Sequence, residues 1–249
     1  LSGNDDVTNT AIENNYIELP DNADGITITN NDETKSAAFG NITINKPGTY
    51  KFSISEDKSD LINGITYADA KEITVTVTDN GDGTLDVSVL GNDDLTFTNT
   101  YTPNEATLNG EANLKVTKVI DGRDWLDTDE FSFKLELADN ETVFAKNDGK
   151  VILSNSTLTI NKENKDSASF GDITFKEAGT YKFTVSEVNG SIPGVKYDTT
   201  SKTITVKVVD NKDGTMSATI VADESDDLTF TNKYTPNPVS SGATDLAVT

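Results

Sequence analysis

The chain has 249 residues, 34% of them hydrophobic and 7% aromatic, and its 20 basic against 42 acidic residues give a net charge of −22 and a pI near 4.1. Such a length predicts one or two domains, and regularly spaced apolar positions argue for packed cores over disorder. The acidic balance offers no basic stripe to displace counterions and so excludes a nucleic-acid partner, while the absence of Cys and His removes thiol catalysis, imidazole acid–base chemistry, most zinc sites and disulfides. No run reaches the ~20 apolar residues of a membrane helix, and no signal peptide is present, so a secreted origin requires a signal removed or lying outside this sequence.

Along the chain, "SAAFGNITINKPGTYKFSISE" (36–56) reads as alternating strand, followed by "YADAKEITVTVTDNGDGT" (67–84) and "DDLTFTNTYTPN" (93–104). A connector near "NEATLNGEA" (104–112) leads to "ANLKVTKVIDGRDWLDTDEFSFKLEL" (112–137). The earlier series then recurs as "SASFGDITFKEAGTYKFTVSE" (167–187), "YDTTSKTITVKVVDNKDGT" (197–215) and "DDLTFTNKYTPN" (226–237). Two copies of one domain are therefore expected: repeat 1 at 1–103, a linker at 104–111 and repeat 2 at 112–236. Repeat 1 has no counterpart of 112–137, and "GATDLAVT" (242–249) resembles "GEANLKVT" (110–117), so 237–249 reads as a linker and the start of a third repeat. No stretch of helical length carries a 3.6-residue apolar period. The expected fold is all-β: tandem immunoglobulin-like β-sandwiches, the first lacking its N-terminal strand. "DNGDGT" (79–84) and "DNKDGT" (210–215) lack the spacing and distant Glu of a calcium loop, lie between alternating runs, and read as hairpin turns; no metal or cofactor is expected.

Strand parity singles out three polar residues. Leu114, Val116, Lys118 and Ile120 share one face, as do Tyr181, Phe183, Val185 and Glu187, and Leu228, Phe230, Asn232 and Tyr234. A carboxamide among core residues costs on the order of 1–3 kcal/mol unless it is partnered. Burial lowers a lysine's pKa toward its neutral, nucleophilic form and raises that of a glutamic acid. Neutral Lys118 can then attack the Asn232 side-chain carbon and expel ammonia, with Glu187 as acid–base partner, a self-crosslink made once per molecule. A buried, hydrogen-bonded polar cluster is the plainer reading of the same three residues.

The combination of L-x-V-T-K, "EFSFKL", "GTYKFTVSE", "GVKYDTTSKTITVKV" and "FTNKY" resembles the streptococcal-type pilin isopeptide-linkage domain, over nearly all of 112–236 and of 1–103. The resemblance implies a shaft or stalk repeat of a Gram-positive surface protein, extracellular and anchored to the cell wall outside this fragment, with neighbouring repeats as partners. It places the family's Lys on Lys118, its Asn on Asn232 and its Glu on Glu187. In repeat 1 the Glu and Asn fall on Glu56 and Asn99 without a Lys, so that repeat is expected to be uncrosslinked, though competent if its missing strand were supplied. A Thr–Gln ester is unavailable because the sequence has no Gln. No LPxTG-like sorting signal is present, which favours an adhesin stalk over a pilus subunit.

The alternative is a ligand-binding adhesin module recognising a host glycan or protein. Its one candidate contact is Trp125, in "GRDWLDTDE", a kind of residue that is more often a packing plug over a sheet edge. A turnover enzyme is not supported, since no catalytic group stands outside the duplicated pattern. The "DLAVT" tail suggests head-to-tail strand addition into repeat 1 of another molecule, non-covalent because no Lys follows Thr249.

Overall fold

The computed structural model of the chain describes residues 1–138, 149–165, 168–221 and 228–240. Chain contacts divide it into two compact units, Leu1–Tyr101 and Thr102–Thr249. The tail whose sequence suggested a third repeat, 242–249, lies outside the described residues.

Unit 1 runs β1 (Ser2–Gly3), α1 (Asp6–Glu13), β2 (Ile17–Glu18), β3 (Thr43–Ile44), β4 (Gly48–Ile54), β5 (Ile65–Thr66), β6 (Lys71–Asp79), β7 (Leu85–Leu90) and β8 (Thr100–Tyr101). Its main sheet has the order β1-β4-β6-β7, with β2-β3 and β5-β8 as small antiparallel pairs. Tyr50, Phe52, Val75 and Val77 alternate inward on β4 and β6 and form its core with Ile17 and Ala11.

The helix α1 corrects the all-strand reading of this segment. Asp5 caps it by accepting the Thr8 amide at 2.7 Å, and Thr8 and Ala11 are its buried positions. Thr8 Oγ1 accepts the Lys51 amide at 2.8 Å, so a hydroxyl satisfies a backbone donor beyond the two-residue reach of β1. Eight residues whose inward face includes a threonine carry too little apolar signal to register as a helical period.

Unit 2 runs β9 (Ala106–Leu108), α2 (Gly110–Asn113), β10 (Thr117–Asp121), β11 (Glu130–Leu137), β12 (Val151–Leu153), β13 (Thr157–Asn161), β14 (Ile173–Phe175), β15 (Gly179–Glu187), β16 (Val195–Lys196), β17 (Ser201–Asp210), β18 (Met216–Ile220) and β19 (Thr229–Tyr234). Three sheets, β13-β11-β15-β17-β18, β10-β19-β16 and β12-β14-β9, enclose one core built from the inward positions of each. Phe131, Phe133, Phe170, Phe175, Phe183 and Phe230 are its largest members. Both units are tandem β-sandwich folds, as the alternation predicts.

The expected linker at 104–111 is corrected. β9 pairs with β14, and its Ala106 and Leu108 are buried, so this stretch is an integral strand of unit 2. Three residues were too few for their alternation to stand out beside the Asn and Gly around them.

The two Asp-Gly segments are turns. Gly81 and Gly83 in one, and Lys212 and Gly214 in the other, adopt positive φ. Asp79 accepts the Gly81 amide and Asp82 the Thr84 amide; Asp210 and Asp213 repeat this with Lys212 and Thr215. Each of these aspartates is thus engaged by the backbone of its own turn.

Candidate functional site

β10 and β19 lie side by side in parallel, with Lys118 opposite Phe230 and Ile120 opposite Asn232. The two strands hydrogen-bond through their backbones while their inward side chains enter the core. Burial alternates along both, and Lys118 (4% exposed) and Asn232 (0%) fall on the buried phase. Glu187 (8%) ends β15, opposite Phe133 of β11. Three strands distant in sequence thus bring the three parity-selected residues together.

One carboxyl group spans the other two side chains. Lys118 Nζ donates to Glu187 Oε2 at 2.9 Å, and Asn232 Nδ2 donates to Glu187 Oε1 at 2.7 Å. Both side chains of the Lys–Glu pair are fully buried. Burial pushes the Lys118 amine below its ordinary pKa, against the pull of Glu187. Burial likewise pushes the Glu187 carboxyl up, although bonds from Lys118 and Asn232 oppose it. Both directions favour the neutral amine beside the neutral acid.

The fourth group is a backbone amide. Asp198 N–H donates to Asn232 Oδ1 at 2.7 Å, at the oxygen where charge develops if the carboxamide carbon is attacked. The Asp198 side chain is itself held by the Thr200 amide and hydroxyl and by the Thr231 amide. Burial opposes its ionisation, but these hydrogen bonds outweigh it and hold the carboxyl below its usual value. Sequence parity misses Asp198 because a main-chain donor carries no residue signature.

Aromatic rings wall the amine. Lys118 Nζ sits 5.0 Å from the centroid of Phe131 and 6.0 Å from that of Phe133. Trp125 packs edge-on against Phe131 at 5.4 Å, so it serves as a plug over the lysine's wall. The Trp125 loop is fixed by the Arg123 fork, whose Nη1 and Nη2 donate to the buried Asp129 at 2.6 and 2.7 Å. The Leu126 amide donates to the same carboxylate at 2.8 Å. The bond from Arg123 is the chief cause of the lowered Asp129 pKa. Neither Arg123 nor Asp129 is legible in the sequence, where they are two charges among many in a polar loop.

Unit 1 repeats the arrangement without the lysine. Asn99 Nδ2 donates to Glu56 Oε1 at 2.8 Å, and the Ala68 amide donates to Asn99 Oδ1 at 2.9 Å and to Glu56 Oε2 at 3.2 Å. Ala68 here occupies the place of Asp198, which identifies the role as that of the backbone. Asn99 is exposed and Glu56 half-buried, where Asn232 and Glu187 are buried.

Comparison with known proteins bears on both units. The model of the FctA family, a Spy0128-like isopeptide containing domain, matches residues 2–102 and 114–235. Among solved structures, the chain is similar to the major pilin from Streptococcus pyogenes at 18% identity, covering 79% of this chain and 73% of that one, with a TM-score of 0.22. The T-13 major pilin protein of the same organism matches at 16% identity over 79% and 71% of the two chains (TM-score 0.19), and T3.2 at 18% over 76% and 68% (TM-score 0.19). A search of curated proteins found no match. With the family model matching nearly all of both units, the chain belongs to the FctA family of Spy0128-like isopeptide-containing domains.

Proposed function

We propose that the chain is a load-bearing segment of the stalk or shaft of a Gram-positive surface protein, and that unit 2 closes itself with an amide bond between Lys118 and Asn232. The observation that carries this reading is the Glu187 carboxyl, one oxygen on the lysine amine and the other on the amide nitrogen that must leave. A proton passes from Lys118 to Glu187, freeing the amine lone pair. Nζ attacks the Asn232 side-chain carbon, and the Asp198 amide stabilises the charge that forms on Oδ1. The protonated Glu187 delivers its proton to Nδ2 and takes one from the attacking nitrogen, the C–N bond breaks, and ammonia departs. Glu187 ends in the protonated form it held when the attack began, so the group is an acid–base catalyst used once and the protein is no turnover enzyme.

Family membership supports the surface assignment. The crosslink ties β10, the first strand of the β10-β19-β16 sheet, to β19, the last strand of the unit. Tension along the chain then enters at Lys118 and leaves at Asn232, and the 113 residues between them carry none of it. Neighbouring repeats of the same surface protein are the natural partners of such an element. Single-molecule pulling from the two ends tests it. Wild type should lack an extension of roughly 400 Å, the contour of the bypassed residues, and Asn232→Ala should show it. A wild-type trace containing that extension would refute the crosslink.

A further inference from the structure

The Asp198 side chain makes bonds that the crosslink chemistry above does not use. Strand β16 runs antiparallel to β19, with Val195 opposite Tyr234 and Lys196 opposite Lys233, and the Thr235 amide donates to the Gly194 carbonyl at 2.8 Å. Hydrogen-bonded pairs alternate along such a ladder. After Gly194–Thr235 they fall on Lys196–Lys233 and next on Asp198–Thr231. The ladder stops short of that last pair, at Lys196. There the Thr231 amide donates to Asp198 Oδ2 at 3.0 Å, and the Asp198 amide donates to Asn232 Oδ1 at 2.7 Å. A carboxylate oxygen thus receives the amide that a carbonyl would have received, and the main-chain donor of residue 198 is left to the carboxamide. The other oxygen is fixed as well, since Asp198 Oδ1 accepts the Thr200 amide at 2.9 Å and the Thr200 hydroxyl at 2.7 Å. Asp198 therefore grips β19 at two adjacent residues.

Charge does not account for a carboxylate in this place. Burial pushes the Lys118 amine down and Glu187 pulls it back, and the negative charge of Asp198 pulls the same way as Glu187, toward the protonated form that cannot attack. The donor itself does not need the carboxylate either, because in unit 1 Ala68 presents the same amide to Asn99. We propose, on the reading of unit 2 given above, that the Asp198 carboxylate is a positioning residue for the crosslink. By holding the Thr231 amide it fixes β19 against residue 198, and so sets the Asp198 amide at the Asn232 oxygen where negative charge develops. The carboxylate exchanges no proton and touches no reacting atom. Thr200 and Thr231 are exposed, so their bonds to Asp198 lie at the surface and removing them leaves the buried core in place. What is lost is alignment, and a misplacement of about 1 Å at a reacting group costs about 10²-fold in rate.

The test is the rate at which the mass deficit of lost ammonia appears in the full chain, synthesised and held in denaturant and then refolded. Fluorescence of Trp125, packed on Phe131, reports that unit 2 has folded. Asp198→Ala should reach the wild-type fluorescence and yet form the bond about 10²-fold more slowly. Asp198→Asn keeps an oxygen for the Thr231 amide and removes the charge, and should recover most of that loss. Asp198→Ala reacting at the wild-type rate or faster overturns the inference. Asp198→Asn as slow as Asp198→Ala also overturns it, since the carboxylate would then act through its charge. So does loss of the folded Trp125 signal in Asp198→Ala, because the residue would then hold the fold and not the reacting groups. Wild type that stays at full mass overturns the crosslink and this positioning role with it, so the two failures are told apart.

Discussion

Asn232→Ala separates the crosslink from the packing around it. Lys118 and Glu187 keep each other at 2.9 Å, so the buried ion pair survives while the electrophile is gone. Removing the bond reopens a loop of 114 residues (232 − 118), which restores about 4–5 kcal/mol of unfolded-chain entropy, treating the amide as a disulfide-like tie. The Asp198 amide also loses its partner, adding roughly 1–3 kcal/mol. At about 3–5 °C per kcal/mol for a unit of this size, the melting temperature should fall by on the order of 15–40 °C. Trp125 is the only tryptophan, and its contact with Phe131 makes its fluorescence a reporter of unit 2. Intact mass gives the chemistry: wild type about 17 Da light, Asn232→Ala at full mass, and Asn232→Asp about 18 Da light because water leaves in place of ammonia. Wild type at full calculated mass, or a melting shift under about 5 °C for Asn232→Ala, would refute this account.

Glu187→Gln keeps the shape of the bridge but cannot relay a proton, so the chain should stay at full mass over days at neutral pH, read by the same mass measurement. The pH dependence of bond formation follows from the paired shifts. Burial lowers Lys118 and raises Glu187, so the ion pair and the neutral pair share one proton and one net charge. The rate, followed by mass after refolding a chain synthesised under denaturing conditions, should be flat while the pair holds that proton and fall on both sides; a monotonic rise with pH would point to a lysine acting without Glu187. Asp129→Asn should cost unit 2 roughly 2–4 kcal/mol by denaturant titration, since it breaks a buried two-bond contact with Arg123. Arg123 holds the folded pKa of Asp129 down, so its contribution is full above the ordinary aspartate value and is lost as pH falls through the lowered one. The variant should accordingly show a flatter acid limb of stability below about pH 4.

Residue alternation alone was enough to put Lys118, Glu187 and Asn232 on inward faces, because side-chain direction in a strand has a period of two and is set locally. The internal repeat, the Asp-Gly turns and the all-β class were legible for the same reason, each being a pattern within a few neighbouring residues. Tertiary structure decided which strands meet. The parallel pairing of β10 with β19 joins residues more than a hundred positions apart, and no local pattern encodes that partner. It also decided the roles of groups without a sequence signature. The Asp198 amide faces Asn232 as the Ala68 amide faces Asn99, so unlike side chains serve one main-chain function. Helix α1 and strand β9 escaped because each is short and partly polar, and only burial against other strands reveals their inward faces. The sequence thus determined which way each side chain points along its strand. Which groups face one another across the core was settled by long-range packing, since that depends on contacts between residues the chain places far apart.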